Sequence, residues 1–70
     1  MKKYFDIHCE FDGDSTSYSI FVEIDSHKTA LSSTEIISFC IDNNLFSEIG
    51  DEKFVDSITE ITEEEYYRAV

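Results

Sequence analysis

Seventy residues suffice for one small domain, and a chain of this length buries only about 60% of the surface that its unfolded form exposes. Its 41% hydrophobic content, with four Tyr and six Phe, excludes a disordered acidic tail, so we expect one folded domain over residues 1–70. Sixteen acids face five bases, and the net charge of −11 argues against direct binding to nucleic acids or anionic membranes. This charge favours a cationic partner.

Two stretches near the start of the chain alternate between apolar and polar residues, as half-buried strands do. Residues 3–11 place Phe5, Ile7, Cys9 and Phe11 on one face, and Tyr4, Asp6, His8 and Glu10 on the other. Residues 18–25 place Tyr18, Ile20, Val22 and Ile24 inward, and Ser19, Phe21, Glu23 and Asp25 outward. The turn-forming run DGDSTS lies between them. The pattern predicts an antiparallel hairpin.

A helix is predicted over residues 32–45. Ser32 and Glu35 have the spacing of a capping box, and Leu31 and Ile36 that of a hydrophobic staple. Asn44 can adopt the left-handed conformation that ends a helix. The expected apolar stripe comprises Ile36, Ile37, Cys40, Ile41 and Leu45.

The end of the chain predicts a third strand and a second helix. In residues 54–61 the apolar positions Val55, Ile58 and Ile61 are three apart, so we expect a bulge or an early strand end. Thr62 and Glu65 repeat the capping-box spacing, which predicts a short helix from Glu63 to about Ala69. The expected fold is α+β: a three-stranded antiparallel sheet (ββαβ, order 2-1-3) with one helix on one face and the other face left to solvent or a partner.

A core and two unreactive thiols follow from this arrangement. The residues expected to be buried together are Phe5, Ile7, Cys9, Ile20, Val22, Ile24, Ile37, Cys40 and Ile41. The two cysteines lie on inward faces without a metal-ligand pattern, which indicates free thiols in a reducing cytoplasm. MKKYFDIHCEF lacks the apolar region of a signal peptide, and no apolar run approaches the about 20 residues of a membrane span.

No residue pattern predicts a reaction, a cofactor or a metal. Asp12, Asp14, Thr16 and Glu23 match four positions of an EF-hand calcium loop, but Ser17 stands where that loop needs glycine. His8 and His27 are expected at the surface with no nucleophile beside them. We therefore expect that the chain is not an enzyme.

The outward sheet face and the acidic run near the end are the candidate partner-binding sites. Same-face acids on a strand stand about 6.6 Å apart, a spacing of the same order as that of backbone phosphates. The expected partner-binding residues are Asp6, Glu10, Phe21, Glu23, Asp25, Glu63, Glu64 and Glu65. Phe21, Tyr4 and Tyr67 are the expected aromatic anchors.

A single acidic domain of this size and element order, ending in EITEEEYYRAV, resembles the small phage proteins that block host defence, among them anti-CRISPR inhibitors and anti-restriction DNA mimics. The resemblance is one of type and rests on no residue-specific motif. It implies an inhibitor that occupies the cationic groove of a nuclease or CRISPR effector, as a monomer or homodimer.

Two other interpretations remain open. The chain is alternatively a structural or accessory module that self-associates or joins a complex through the edge of its second strand, with Phe21 at the centre of the contact. The acidity alternatively serves only to keep the protein in solution.

Overall fold

The computed structural model describes residues 1–11 and 16–70 and consists of a three-stranded sheet between two helices. The strands are β1 (Lys2–Glu10), β2 (Ser17–Asp25) and β3 (Val55–Ile61), and the helices are α1 (Ser33–Asp42) and α2 (Glu63–Ala69). One turn of 3₁₀ helix, Asp51–Phe54, precedes β3 and includes Phe54, which was predicted to begin the strand. The sheet is antiparallel with the order β2-β1-β3, which confirms the predicted α+β fold and topology.

The two strand pairs differ in regularity. β1 and β2 pair over nine positions without interruption, from Lys2 opposite Asp25 to Glu10 opposite Ser17. In the pairing of β1 with β3 the register shifts, because His8 faces Ser57 whereas Cys9 faces Val55. Asp56 is thus the extra residue of a bulge, which confirms that prediction.

The bulge explains the unusual spacing of apolar residues in β3. It allows Val55 and Ile58 to pack against the same core, although they are three residues apart. Ile61 stands opposite Tyr4, and its side chain therefore lies on the other face of the sheet. One short strand thereby contributes apolar side chains to both faces.

Local signals determine both ends of α1. The Glu35 N–H donates to the Ser32 hydroxyl oxygen at 3.2 Å, and the Ser32 N–H donates to the Glu35 carboxylate at 3.3 Å. Asn44 has φ 54°, and the N–H of Leu45 donates to the carbonyl of Cys40 at 2.9 Å. The predicted capping box and left-handed helix end are therefore confirmed.

The main core lies between α1 and the sheet, and it differs from the predicted core on the helix side. The buried residues there are Phe5, Ile7, Cys9, Val22, Ile24, Ile36 and Cys40. Ile36 is 3% exposed, whereas Ile41 is 45% exposed and Ile37 is only half-buried, so the prediction was wrong for Ile41 and Ile37. Ile20 is also half-buried, but it packs against the core as predicted. Phe39, which flanks Ile36 and Cys40 on the side away from Ile37 and Ile41, packs against the core, so α1 is rotated relative to the predicted stripe.

The second sheet face is covered in part, which the sequence did not predict. The ring centroid of Tyr66 in α2 lies 5.0 Å from that of Tyr4 in β1, and the Tyr67 centroid lies 6.2 Å from it. Tyr4 is consequently only 6% exposed. The expectation that this face is left open was wrong, and Tyr4 is an internal packing residue rather than an accessible anchor.

Candidate functional site: an acidic face

Packing of α2 on the sheet joins two acidic segments that are distant in the sequence. The first turn of α2 carries Glu63, Glu64 and Glu65, and α2 contacts both β1 and β2. Tyr67 links the segments directly, since its hydroxyl donates to the Glu23 carboxylate at 3.4 Å. We call this surface the acidic face; it comprises Asp6, Glu23, Asp25, Glu63, Glu64 and Glu65.

The pKa of the Tyr4 hydroxyl is affected by glutamates from both acidic segments. Burial is the main cause that raises the pKa of Tyr4 from 10.0 to about 12. The charges of Glu63 and Glu23 raise the pKa further, because each disfavours a tyrosinate beside it. Glutamates from α2 and from β2 thus act on the same hydroxyl group.

The acids of the acidic face are not equally available to a partner. Glu65 accepts from the Thr62 N–H at 3.2 Å and so helps to cap α2. Glu64 pairs with Arg68 at 2.7 Å, and Asp25 pairs with the amino group of Met1 at 3.1 Å. These two pairs are largely exposed, so water and salt screen them and they stabilise the fold little.

Asp6 occupies a distinct position under α2. It is half-buried, and its Oδ1 atom is enclosed without a hydrogen-bond partner among the described residues. A shallow cleft surrounds it, lined also by Phe21, Ile61, Glu65 and Arg68. Asp6 is therefore the least accessible member of the acidic face, and Phe21 lines the same cleft.

Glu10 is the predicted site residue that lies apart from the others. It stands at the far end of β1, about 20 Å along the strand from Tyr4 at the usual rise per residue. Its neighbours around a shallow pocket are Lys53, Phe54, Val55 and Asp56. All eight predicted residues thus lie on the α2 side of the sheet or in α2 itself, but Glu10 is too far along β1 to belong to the acidic face.

A second polar cluster, which the sequence did not predict, fixes the segment after α1. Asp51 is 7% exposed and accepts from the Tyr18 hydroxyl at 2.6 Å and from the Glu48 N–H at 3.2 Å. Tyr18 in turn accepts from the Ser47 N–H at 3.3 Å, and burial raises its pKa well above its usual range. Because Asp51 holds backbone groups and a tyrosine, its arrangement is that of a structural clamp.

The two thiols are free and buried, and His8 contacts a hydroxyl group. Burial raises the pKa of Cys9 and raises that of Cys40 to about 11, which keeps both thiols protonated and poorly nucleophilic at neutral pH. His8 lies within hydrogen-bonding distance of the Ser19 hydroxyl, with Nδ1 at 3.3 Å from Oγ. A serine hydroxyl therefore lies beside His8, so the expectation that no nucleophile stands next to the histidines was wrong for His8.

The described residues form neither a metal-binding cluster nor a membrane-spanning helix. Residues 1–11 and 16–70 contain no group of three or more His, Cys, Asp or Glu side chains placed to hold a metal ion. The candidate calcium ligands Asp12 and Asp14 lie outside the described residues. Neither α1 nor α2 has the length and hydropathy needed to cross a bilayer.

Comparison with protein-family models, curated proteins and solved structures gave no significant match to this chain. Its function must therefore be argued from the acidic face and the rest of the fold.

Proposed function

We propose that this protein is a non-enzymatic inhibitor that binds a basic, nucleic-acid-handling protein through the acidic face. The observation that carries the proposal is the docking of α2 on the sheet, which brings Glu63, Glu64 and Glu65 beside Glu23. A surface with this density of acids matches the cationic groove of a nuclease or CRISPR effector, as a DNA mimic does. Inhibition would be steric and electrostatic competition with the nucleic acid.

An exposed aromatic side chain gives the acidic face an apolar contact point. Tyr67 is 56% exposed, and its hydroxyl is held by Glu23. Tyrosine is enriched among residues that dominate binding energy, because its large ring is apolar and its hydroxyl is polar. Tyr67 therefore supplies contact area, while the surrounding acids supply attraction and orientation.

A pull-down from a nuclease-treated host lysate, eluted with a salt gradient, tests the proposal. We expect a DNA- or RNA-binding protein to elute at intermediate salt, because opposite surface potentials are screened as the ionic strength rises. Nuclease treatment excludes retention through a shared nucleic acid. Absence of any basic protein from the eluate would contradict the proposal.

A triple variant tests whether the acidic face makes the contact. Glu23→Gln, Asp25→Asn and Glu63→Gln together reduce the net charge from −11 to −8 and spare Glu65, which caps α2. The control, Asp42→Asn with Glu48→Gln and Asp56→Asn, removes three charges elsewhere and also gives −8. We expect only the first variant to elute at clearly lower salt. Equal loss in both variants would mean that net charge, not the acidic face, governs binding.

A further inference from the structure

The outer edge of β2 is long and regular. β2 is an edge strand in the order β2-β1-β3, and no strand in the described part of the chain pairs with its outer side. Its nine residues, SYSIFVEID, run in continuous register with β1 and contain neither proline nor lysine. Such an edge presents a row of backbone N–H and C=O groups that another strand can bind.

The other edge strand, β3, carries the usual protections against such pairing. It is shorter, at seven residues, and it contains the bulge at Asp56. If two copies of β3 paired about a twofold axis at Ile58, Asp56 of each copy would face Glu60 of the other. Like charges directly opposite each other destabilise a strand pair, so β3 disfavours self-pairing.

Self-pairing of β2, by contrast, brings no like charges opposite each other. An antiparallel pair of two β2 strands centred on Phe21 aligns all nine residues, which is the maximum for this strand. Glu23 then faces Ser19 of the second copy, and Asp25 faces Ser17, so no acid stands opposite an acid. Phe21 faces its own equivalent at the twofold axis, and Ile20 faces Val22.

We propose that a second copy of this chain binds the β2 edge and forms a homodimer with a continuous six-stranded sheet. The side chains that flank the edge favour an added strand. Phe39 and Leu45 border it on the α1 side and Tyr66 borders it on the α2 side, together lining an open groove along Phe21, Val22 and Glu23. Alternate side chains of the incoming strand would therefore meet apolar groups on both faces of the sheet.

The charge of the chain predicts how this dimer responds to salt. Each copy carries −11, so the two copies repel each other at low ionic strength. Between about 0.1 M and about 1 M salt the Debye length falls from about 10 Å to about 3 Å, and the dimer should become stronger. Binding of a basic protein by the acidic face has the reverse salt dependence, so either proposal can fail without the other.

Substitutions at Ser19 test both the edge and the register by sedimentation equilibrium. The symmetric dimer contains two pairs in which Ser19 of one copy faces Glu23 of the other. Ser19→Lys places opposite charges in both pairs and should lower the dimer dissociation constant by about 2-fold to 30-fold. Ser19→Glu places like charges there and should raise the constant by a similar factor. Ser57→Lys is the matched control, because Ser57 also pairs with His8 but lies on β3. It adds the same charge and should change the constant much less than Ser19→Lys does.

The outcomes separate the β2 dimer from other assemblies. A mass that stays at 8.1 kDa at every concentration and salt, for both the wild type and Ser19→Lys, would overturn the proposal. Dimers that respond equally to Ser19→Lys and Ser57→Lys would place the contact elsewhere and would overturn it as well. Circular dichroism of each variant establishes that a change in mass does not come from unfolding.

Discussion

Each face of the sheet is covered by one helix that begins with a capping box, but the two faces differ in burial and in charge. On the α1 face, Ile36 and Cys40 are almost fully buried against aliphatic strand residues. On the α2 face, tyrosine rings pack among acids, and no residue of α2 itself is buried. The same local signal therefore starts a helix in both places, whereas the side chains that follow determine whether the helix packs into a core or lies at the surface.

The largest expected effect is on the α1 face. Ile36→Ala should lower the free energy of unfolding by about 2 to 5 kcal/mol, because it leaves a cavity in the main core. Ile41→Ala, at a position that is 45% exposed, should lower it by less than about 1 kcal/mol. Urea denaturation of both variants gives the two values, and a larger effect at Ile41 would show that α1 packs through its other side.

Removal of the capping hydroxyl should have different effects in the two helices. Ser32→Ala should lower the global free energy of unfolding by about 0.5 to 2 kcal/mol, since α1 is part of the main core. Thr62→Ala removes an equivalent cap but should act mainly on α2, through faster hydrogen exchange of its amides and a Tyr4 pKa closer to 10.0. Equal global destabilisation by the two variants would mean that α2 unfolds only together with the core.

Alkaline pH should destabilise both faces of the sheet, because the pKa of Cys40 in the main core is raised as well as that of Tyr4 on the α2 face. The pKa of Tyr4 is raised in the folded state, so its contribution to stability is complete below pH 10.0 and is lost as the pH rises toward 12. Tyr4→Phe should remove this part of the alkaline loss while leaving stability at pH 7 nearly unchanged. Thermal melting of wild type and variant across this pH range measures the effect, and parallel curves would contradict it.

The smallest expected effect comes from neutralising the predicted acids of the strands. Replacing Asp6, Glu10, Glu23 and Asp25 by Asn or Gln should leave the melting temperature unchanged or raise it slightly, because neighbouring like charges repel each other over a Debye length of about 8 Å in the free protein. Glu10 lies apart from the other three and should contribute least. The increase should be greatest at low salt. A lower melting temperature would instead show that these carboxylates stabilise the fold. The first reversion to make in the variant would then be that of the enclosed Asp6.

The sequence predicted features that depend on neighbouring residues better than features that depend on distant contacts. The capping boxes at Ser32 and Thr62, the left-handed Asn44 and the strand order are all confirmed, since each follows from local chemistry or simple antiparallel geometry. The rotation of α1 was not predicted, because its apolar residues fit two overlapping helical faces. Only the space beneath the helix determines that Phe39, rather than Ile41, turns inward.

In the candidate site, too, local features were predicted and long-range contacts were not. The acids and their alternation could be read directly from the sequence, but the contact of Tyr66 with Tyr4 joins residues at opposite ends of the chain. The one available signal was the apolar and aromatic pair Ile61 and Tyr66, which flanks the Thr62 cap and gives α2 an apolar side. Likewise, nothing beside Asp51 in the sequence indicated that its carboxylate would be buried against Tyr18.

The central position of β1 has a consequence for how the chain folds. Only six residues separate β1 from β2 in the sequence, so their hairpin can form quickly, whereas β3 must return from the far end of the sequence to place Ile61 beside Tyr4. Closing so long a loop is entropically slow, and until it happens the second edge of β1 stays exposed. We therefore expect α1 and the hairpin to dominate the folding transition state, and the docking of β3 with α2 to follow it and bring the charges of the acidic face together last.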